Sequence, residues 1–225
     1  MVHEILGSIL VKYQDLVTNI LSSSWVDKFA ATWQIMRKVI PGSSSEGIYE
    51  VLNYESTLEI HDVKGIRATF NKQKKIRYLQ DNIIAYQDHA WGDGNILLNY
   101  HTSRGRPVDR YRSGFKTYIL LSLREVKNKG DIDEFNIQWN IRQGFLKEDG
   151  FWGTDISHRT KHIKVNVIFP KSRPPLHLSF EENNPKRSHI LSRETQKLLP
   201  DGRWSVTFEK NNPKLYELYV LRWLW

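Results

Sequence analysis

The chain has no cysteine. That removes structural disulfides, thiolate zinc sites and cysteine nucleophiles together, and it fits a reducing, cytoplasmic setting. Long apolar runs are missing too. The amino-terminal stretch is broken by His3, Glu4, Lys12 and Asp15, well short of the roughly 20 apolar residues a membrane-spanning helix needs. No charged leader precedes an apolar segment and a small-residue cleavage site, so the sequence predicts a soluble, unprocessed chain with no membrane span. The local signatures of nucleotide and acyl chemistry are lacking as well. There is no Gly-x-Ser-x-Gly elbow, no phosphate-binding Gly-x-x-x-x-Gly-Lys-Ser/Thr, no Gly-x-Gly-x-x-Gly after a strand, and no calcium-loop spacing. The sequence therefore points to no cofactor.

What the chain has in quantity is aromatic and basic residues. Eight Trp, ten Tyr and nine Phe in 225 residues, each able to bury about 150–250 Å², supply a core that needs no covalent staples. Thirty-three Lys and Arg against 25 Asp and Glu leave a formal charge of +8, which biases encounters toward acidic proteins, nucleic acid or anionic lipid.

Two hydrophobic periods divide the chain. Ile5, Ile9, Leu16 and Ile20, flanked by Leu6, Leu10, Tyr13 and Val17, recur at helical spacing. After Ser22 to Ser24, a second stripe follows at Val26, Phe29, Ala30, Trp33, Met36 and Ile40. Pro41, Gly42 and the serines at 43–45 end it. Residues 1–41 are thus expected to form an α-helical hairpin arm and 42–53 a linker. Residues 54–225 are expected to form a β domain.

From Tyr54 onward, apolar residues fall at every second position. Leu58 and Ile60 with Ala68 and Phe70 predict a hairpin turning at Asp62 to Gly65. Phe135, Ile137, Trp139 and Ile141 predict a strand, as do Ile163, Val165, Val167 and Phe169, and Trp204, Val206 and Phe208. The final strand, carrying Tyr219, Leu221, Trp223 and Trp225, has large apolar residues on both faces, as a covered central strand does. Further strands are expected around 83–87, 96–100, 117–123 and 176–180, and a short helix or irregular crossover over 188–199. The dry faces need one another, so the expected fold is mainly β: two antiparallel sheets in a sandwich, with a partly closed barrel as the alternative. Phe180 to Lys186 and Phe208 to Lys214 echo each other through Asn-Asn-Pro-Lys, which suits a chain reversal.

Several constellations are candidates for function. Asp88, His89 and Asp93, with His101 on the next strand, have the groups of an acid–base pair or a metal site, although Asp-Gly pairs also make plain turns. His158 and His162 would share a face only on a helix; in the strand predicted there, four residues span roughly 13 Å, too far for one ion. Three basic stretches stand out. The first holds Lys72, Lys74, Lys75 and Arg77, the second Arg104, Arg106, Arg110 and Arg112, and the third Arg159, Lys161 and Lys164. The first two are candidate nucleic-acid contacts, with Tyr78, Tyr100, Tyr111 and Phe115 beside them to stack on bases; the bland alternative is solvated strand faces and charged edges. Phe145, Phe151 and Trp152, next to glycines, are either a protein-contact tip or a plug for the end of the sandwich. Trp25, Phe29 and Trp33 are the corresponding candidates on the arm.

With no catalytic motif in view, the reading that follows is a non-enzymatic, regulatory or accessory β protein. It would bind another protein or a second copy through loops or residues 2–40. A nucleic-acid or acidic-protein binder using the basic strands is the alternative, and a metal-dependent hydrolase around His89, Asp93 and His101 the third.

Overall fold

The computed structural model describes residues 47–183, 186–191 and 195–225. The expected hairpin arm, with Trp25, Phe29 and Trp33, lies outside the described residues. Within them the chain is mainly β, with fourteen strands. These are β1 (Tyr49–Ile60), β2 (Arg67–Tyr78), β3 (Ile83–Ala90), β4 (Asn95–Thr102), β5 (Arg106–Ser113), β6 (Lys116–Lys127), β7 (Ile132–Arg142), β8 (Asp149–Asp155), β9 (His162–Phe169), β10 (His177–Asn183), β11 (Lys186–Ile190), β12 (Gln196–Leu198), β13 (Trp204–Asn211) and β14 (Leu218–Leu224).

The predicted hairpin is there. β1 and β2 pair from Tyr49↔Tyr78 to Ile60↔Ala68, and the Asp62 carboxylate closes the turn by accepting from the backbone N–H groups of Lys64, Ile66 and Arg67. Gly65 has φ +68° and packs so closely on the Phe145 carbonyl that no side chain fits. β1 starts at Tyr49, ahead of the Tyr54 at which the alternation becomes legible. Where the region 188–199 is described, β11 and β12 occupy its two ends. β5 and β8, which the alternation does not single out, are strands of the smaller sheets.

The strands form three sheets, ordered β12-β13-β9-β1-β2-β7-β4, β11-β10-β14-β8 and β3-β6-β5. None closes on itself, so the barrel alternative does not hold, and the expected pair of sheets is replaced by three. Pairing is antiparallel except between β1 and β9, which run parallel from Tyr54↔Ile163 to Glu59↔Ile168. β14 is interior to its sheet, between β10 and β8. Its inward face carries buried Tyr219, Leu221 and Trp223; on the other face Val220 is covered while Leu224 is exposed.

Both small sheets lie on one face of the large sheet. Phe70 and Lys72 share a face of β2. Phe70 packs on Trp152 of β8, with ring centroids 4.7 Å apart, and Lys72 pairs with Asp88 of β3. The second layer is therefore split in two, because β4 and β7, which fall between β3 and β8 in the chain, join the large sheet instead. One core runs under both halves. Tyr86 of β3 stacks on Phe135 of β7 at 4.1 Å, and Trp223 of β14 meets Phe169 of β9 edge-on at 5.1 Å. The seam between the halves is where polar groups gather.

Candidate functional site

β2 shows why. Ala68, Phe70, Ile76 and Tyr78 are buried and occupy every second position, so the same pleat carries Lys72 and Lys74 inward. Of the lysines expected as nucleic-acid contacts, Lys72 and Lys74 lie on this inward face, Lys72 buried and Lys74 half-buried, while Lys75 is exposed. Lys72 is 7 % exposed. Its ammonium donates to Asp88 Oδ1 and, at 3.3 Å, to the His89 carbonyl, and it lies 5.1 Å from the centre of the Trp139 ring. The Tyr100 hydroxyl donates to the other Asp88 oxygen at 3.0 Å. Burial, reinforced by the Asp88 carboxylate, holds the Tyr100 phenol well above its ordinary range, which keeps it a donor.

Tyr100 reaches Asp88 because β4 is irregular. Its pairing with β7 shifts register between Asn95 and Leu98 and again between Leu98 and His101. Leu97 and Asn99 have φ of 62° and 52°. Bulges of this kind re-aim side chains and store local strain; here they turn Tyr100 toward the seam.

A second polar cluster closes the seam from the other side. Asp155, at the end of β8, accepts from His89 Nε2 of β3 at 2.9 Å, from Lys116 Nζ of β6 at 2.5 Å and from Trp91 Nε1 at 3.3 Å. Burial alone would raise the Asp155 carboxyl, but the hydrogen bonds and charges of His89 and Lys116 overcome it and hold the group well below the usual carboxylate range. For His89 the balance is opposite: burial outweighs the pull of Asp155 and lowers the imidazole, which is neutral at pH 7. Trp91 and Phe151 stack across the same junction at 6.2 Å.

Between the clusters lies a partly open cavity of about 60 Å³, whose walls include Lys72, Lys74, Asp88, His89, Trp139, Trp152, Asp155 and His158. That is room for a few waters or for a ligand of a few heavy atoms. Both acids have cationic partners. Lys74 has none: among the described residues no carboxylate lies within ion-pair distance of it. Its Nζ is 3.4 Å from the Tyr49 hydroxyl and 5.1 and 5.5 Å from the ring centres of Tyr49 and Tyr86. Burial, then the like charge of Lys72, bring its ammonium down to about 8. The indole Nε1 atoms of Trp139 and Trp152, both on buried side chains that line the cavity, have no hydrogen-bond partner, which is rare for buried donors.

The other expected site residues fall elsewhere. Asp93 is exposed, 3.9 Å from Lys147, and His101 is exposed on β4 beside Gln138. They do not join His89, and among the described residues no three His, Asp or Glu side chains are grouped to hold a metal ion. His158 stacks on Tyr49 at 4.1 Å while His162 Nδ1 meets Asn53 at 2.7 Å, so these two histidines have separate roles. Among the basic candidates, Arg77 pairs with Glu50 at 3.1 Å and Arg104 with Asp133 at 3.4 Å. Lys75, Arg106, Arg110 and Arg112 are exposed, with no ion-pair partner among the described residues. Phe145 and Trp152 are 7 % and 8 % exposed and belong to the core; Phe151 is half-buried against Trp91.

Sequence reasoning passed over Lys74, Asp155, Tyr49 and Tyr100 as partners in one site. For the lysines a signal existed, since their parity matches Phe70 and Ile76. For Asp155 there was none, because its partners come from a different sheet.

No protein-family model matches the sequence, and no curated protein does. Among solved structures the chain is similar to an M1 zinc metallopeptidase from Deinococcus radiodurans, at 10% identity and a TM-score of 0.48, over 77% of this chain and 42% of that one. It is similar also to a suspected protease from Parabacteroides distasonis, at 8% identity and a TM-score of 0.49, over 80% and 41%. The chain spans less than half the length of these proteins. At this level the likeness carries no argument about chemistry. No helix among the described residues is long and apolar enough to cross a membrane.

Proposed function

We propose that the protein works through the seam cavity, as a site for a compact small molecule bearing acceptor oxygens, a carboxylate or a carbonyl. The observation that carries this reading is an ammonium on the cavity wall that has no counter-charge within ion-pair distance among the described residues. Asp88 is paired with Lys72 and Asp155 with Lys116, which leaves the Lys74 ammonium with the Tyr49 hydroxyl at 3.4 Å and, among the described residues, no carboxylate within ion-pair distance. Hydrogen bonds to a charged group are stronger than those between neutral groups, so an ammonium whose one side-chain acceptor is a hydroxyl at 3.4 Å has capacity left for an anion. A small anion in the cavity would supply the counter-charge that Lys74 lacks, and the limited volume excludes a polymer chain from the cavity itself.

The test uses the tryptophans as reporters. Acetate, glyoxylate and inorganic phosphate, titrated separately, should quench or shift the emission, and the small carboxylates should raise the melting temperature. Lys74→Met should abolish both responses. Equal responses in the wild type and the variant, or none to any of the three anions, would sink the reading.

A further inference from the structure

Building on the seam-cavity reading, we propose that Lys74 is a nucleophile that forms an imine with the carbonyl carbon of a small oxo-acid or aldehyde held in the cavity. The placement has the features such an amine needs. Lys74 is delivered inward by the alternation of β2, its Nζ lies beside the faces of Tyr49 and Tyr86, and no carboxylate among the described residues locks it as a salt-bridged ammonium. Lys72, its neighbour on the same face, is held in an ion pair by Asp88, so the two lysines have different work. Lys72 fixes the acid and supplies positive potential, while Lys74 is left to react.

The step balances without a further reagent. The unprotonated Lys74 amine attacks the carbonyl carbon. A C–N bond forms, the C=O π pair moves to oxygen, and the nitrogen proton is transferred to that oxygen to give a carbinolamine. The C–O bond then breaks, oxygen leaves with a second proton as water, and the nitrogen lone pair completes the C=N bond. The Tyr49 hydroxyl, 3.4 Å from Nζ, and the neutral His89 imidazole on the same cavity wall are the groups placed to relay these protons. The Lys72 ammonium on the same wall favours an oxo-acid, with its carboxylate, over a plain aldehyde. With its ammonium at about 8, about a tenth of Lys74 is free amine at pH 7, far more than for an ordinary lysine.

The experiment is reductive trapping on the full chain. Glyoxylate and cyanoborohydride are added together, and modified lysines are located by peptide mass spectrometry, with exposed Lys75 as an internal reference. Lys74 should become carboxymethylated at least about tenfold faster than Lys75 at pH 7, given its larger share of free amine. The rate should rise with pH to a half-maximum near 8, and acetate should compete. If Lys74 is modified no faster than Lys75 while acetate still raises the melting temperature, the imine assignment is overturned and the cavity reading stands. If acetate and glyoxylate both leave the protein unchanged, the cavity reading fails as well.

Discussion

Lys72 and Asp88 show what a buried ion pair demands of its surroundings. Removing either partner leaves the other uncompensated at less than a tenth of its exposed area, and breaking such a pair costs about 3–5 kcal/mol. Lys72→Met and Asp88→Leu should each destabilise the protein by that amount in urea unfolding. The double variant should lose at least about 2 kcal/mol less than the sum, since neither charge is then stranded. It should not recover fully, because the Tyr100 hydroxyl loses its acceptor. Strict additivity would mean that the two charges are solvated independently. Asp155 is supported differently, by the Lys116 ammonium, the His89 imidazole and the Trp91 indole, so the two acids of the seam are not interchangeable.

At the scale of elements, the seam depends on how closely β8 and β14 approach the large sheet. β8 alternates Gly150, Trp152 and Thr154 inward, and Gly150 lies under the Trp223 ring, where a Cβ would come within 2.3 Å of ring carbon. Trp223 is itself buried and packs on Phe169, Phe145 and Trp225. Gly150→Ala must therefore displace Trp223. The expected outcome is a loss of about 1–3 kcal/mol, as for other overpacked cores, seen as a melting temperature several degrees lower with altered tryptophan emission. An unchanged melting temperature would show that β8 can slide along β14. The irregular β4 contributes in the opposite manner, by giving up ladder bonds so that Tyr100 can turn toward Asp88.

Among the described residues one large core spans all three sheets, with a smaller cluster of Ile156, Ile163, Phe180 and Tyr219 beside it. Leu58 of β1, Tyr86 of β3, Leu121 of β6, Phe135 of β7 and Trp223 of β14 belong to a single cluster of buried side chains. Unfolding followed by tryptophan fluorescence and by far-ultraviolet circular dichroism should therefore give coincident curves. A fluorescence transition at lower denaturant would mean that the β3-β6-β5 sheet detaches first and opens the seam. The parallel pairing of β1 with β9 brings Tyr54 against Ile163, a long loop to close, so folding should be slow, in the millisecond-to-second range of proteins dominated by non-local pairs.

The β character was legible from the residues because alternation is a local property: each strand declares its wet and dry faces before it meets any partner. The β1–β2 hairpin was legible for the same reason, since its turn residues are adjacent in the chain. The inward aim of Lys72 and Lys74 was written in the same alternation, yet lysine is so seldom buried that composition argued for the surface. Tertiary structure alone decided the division of the second layer, the parallel β1–β9 pair and the meeting of His89 with Asp155 across two sheets. Those features rest on contacts between residues far apart in the chain. Which strand edges pair is chosen by the packing of the whole core against the entropy of closing the loops between them, and no single segment records that choice.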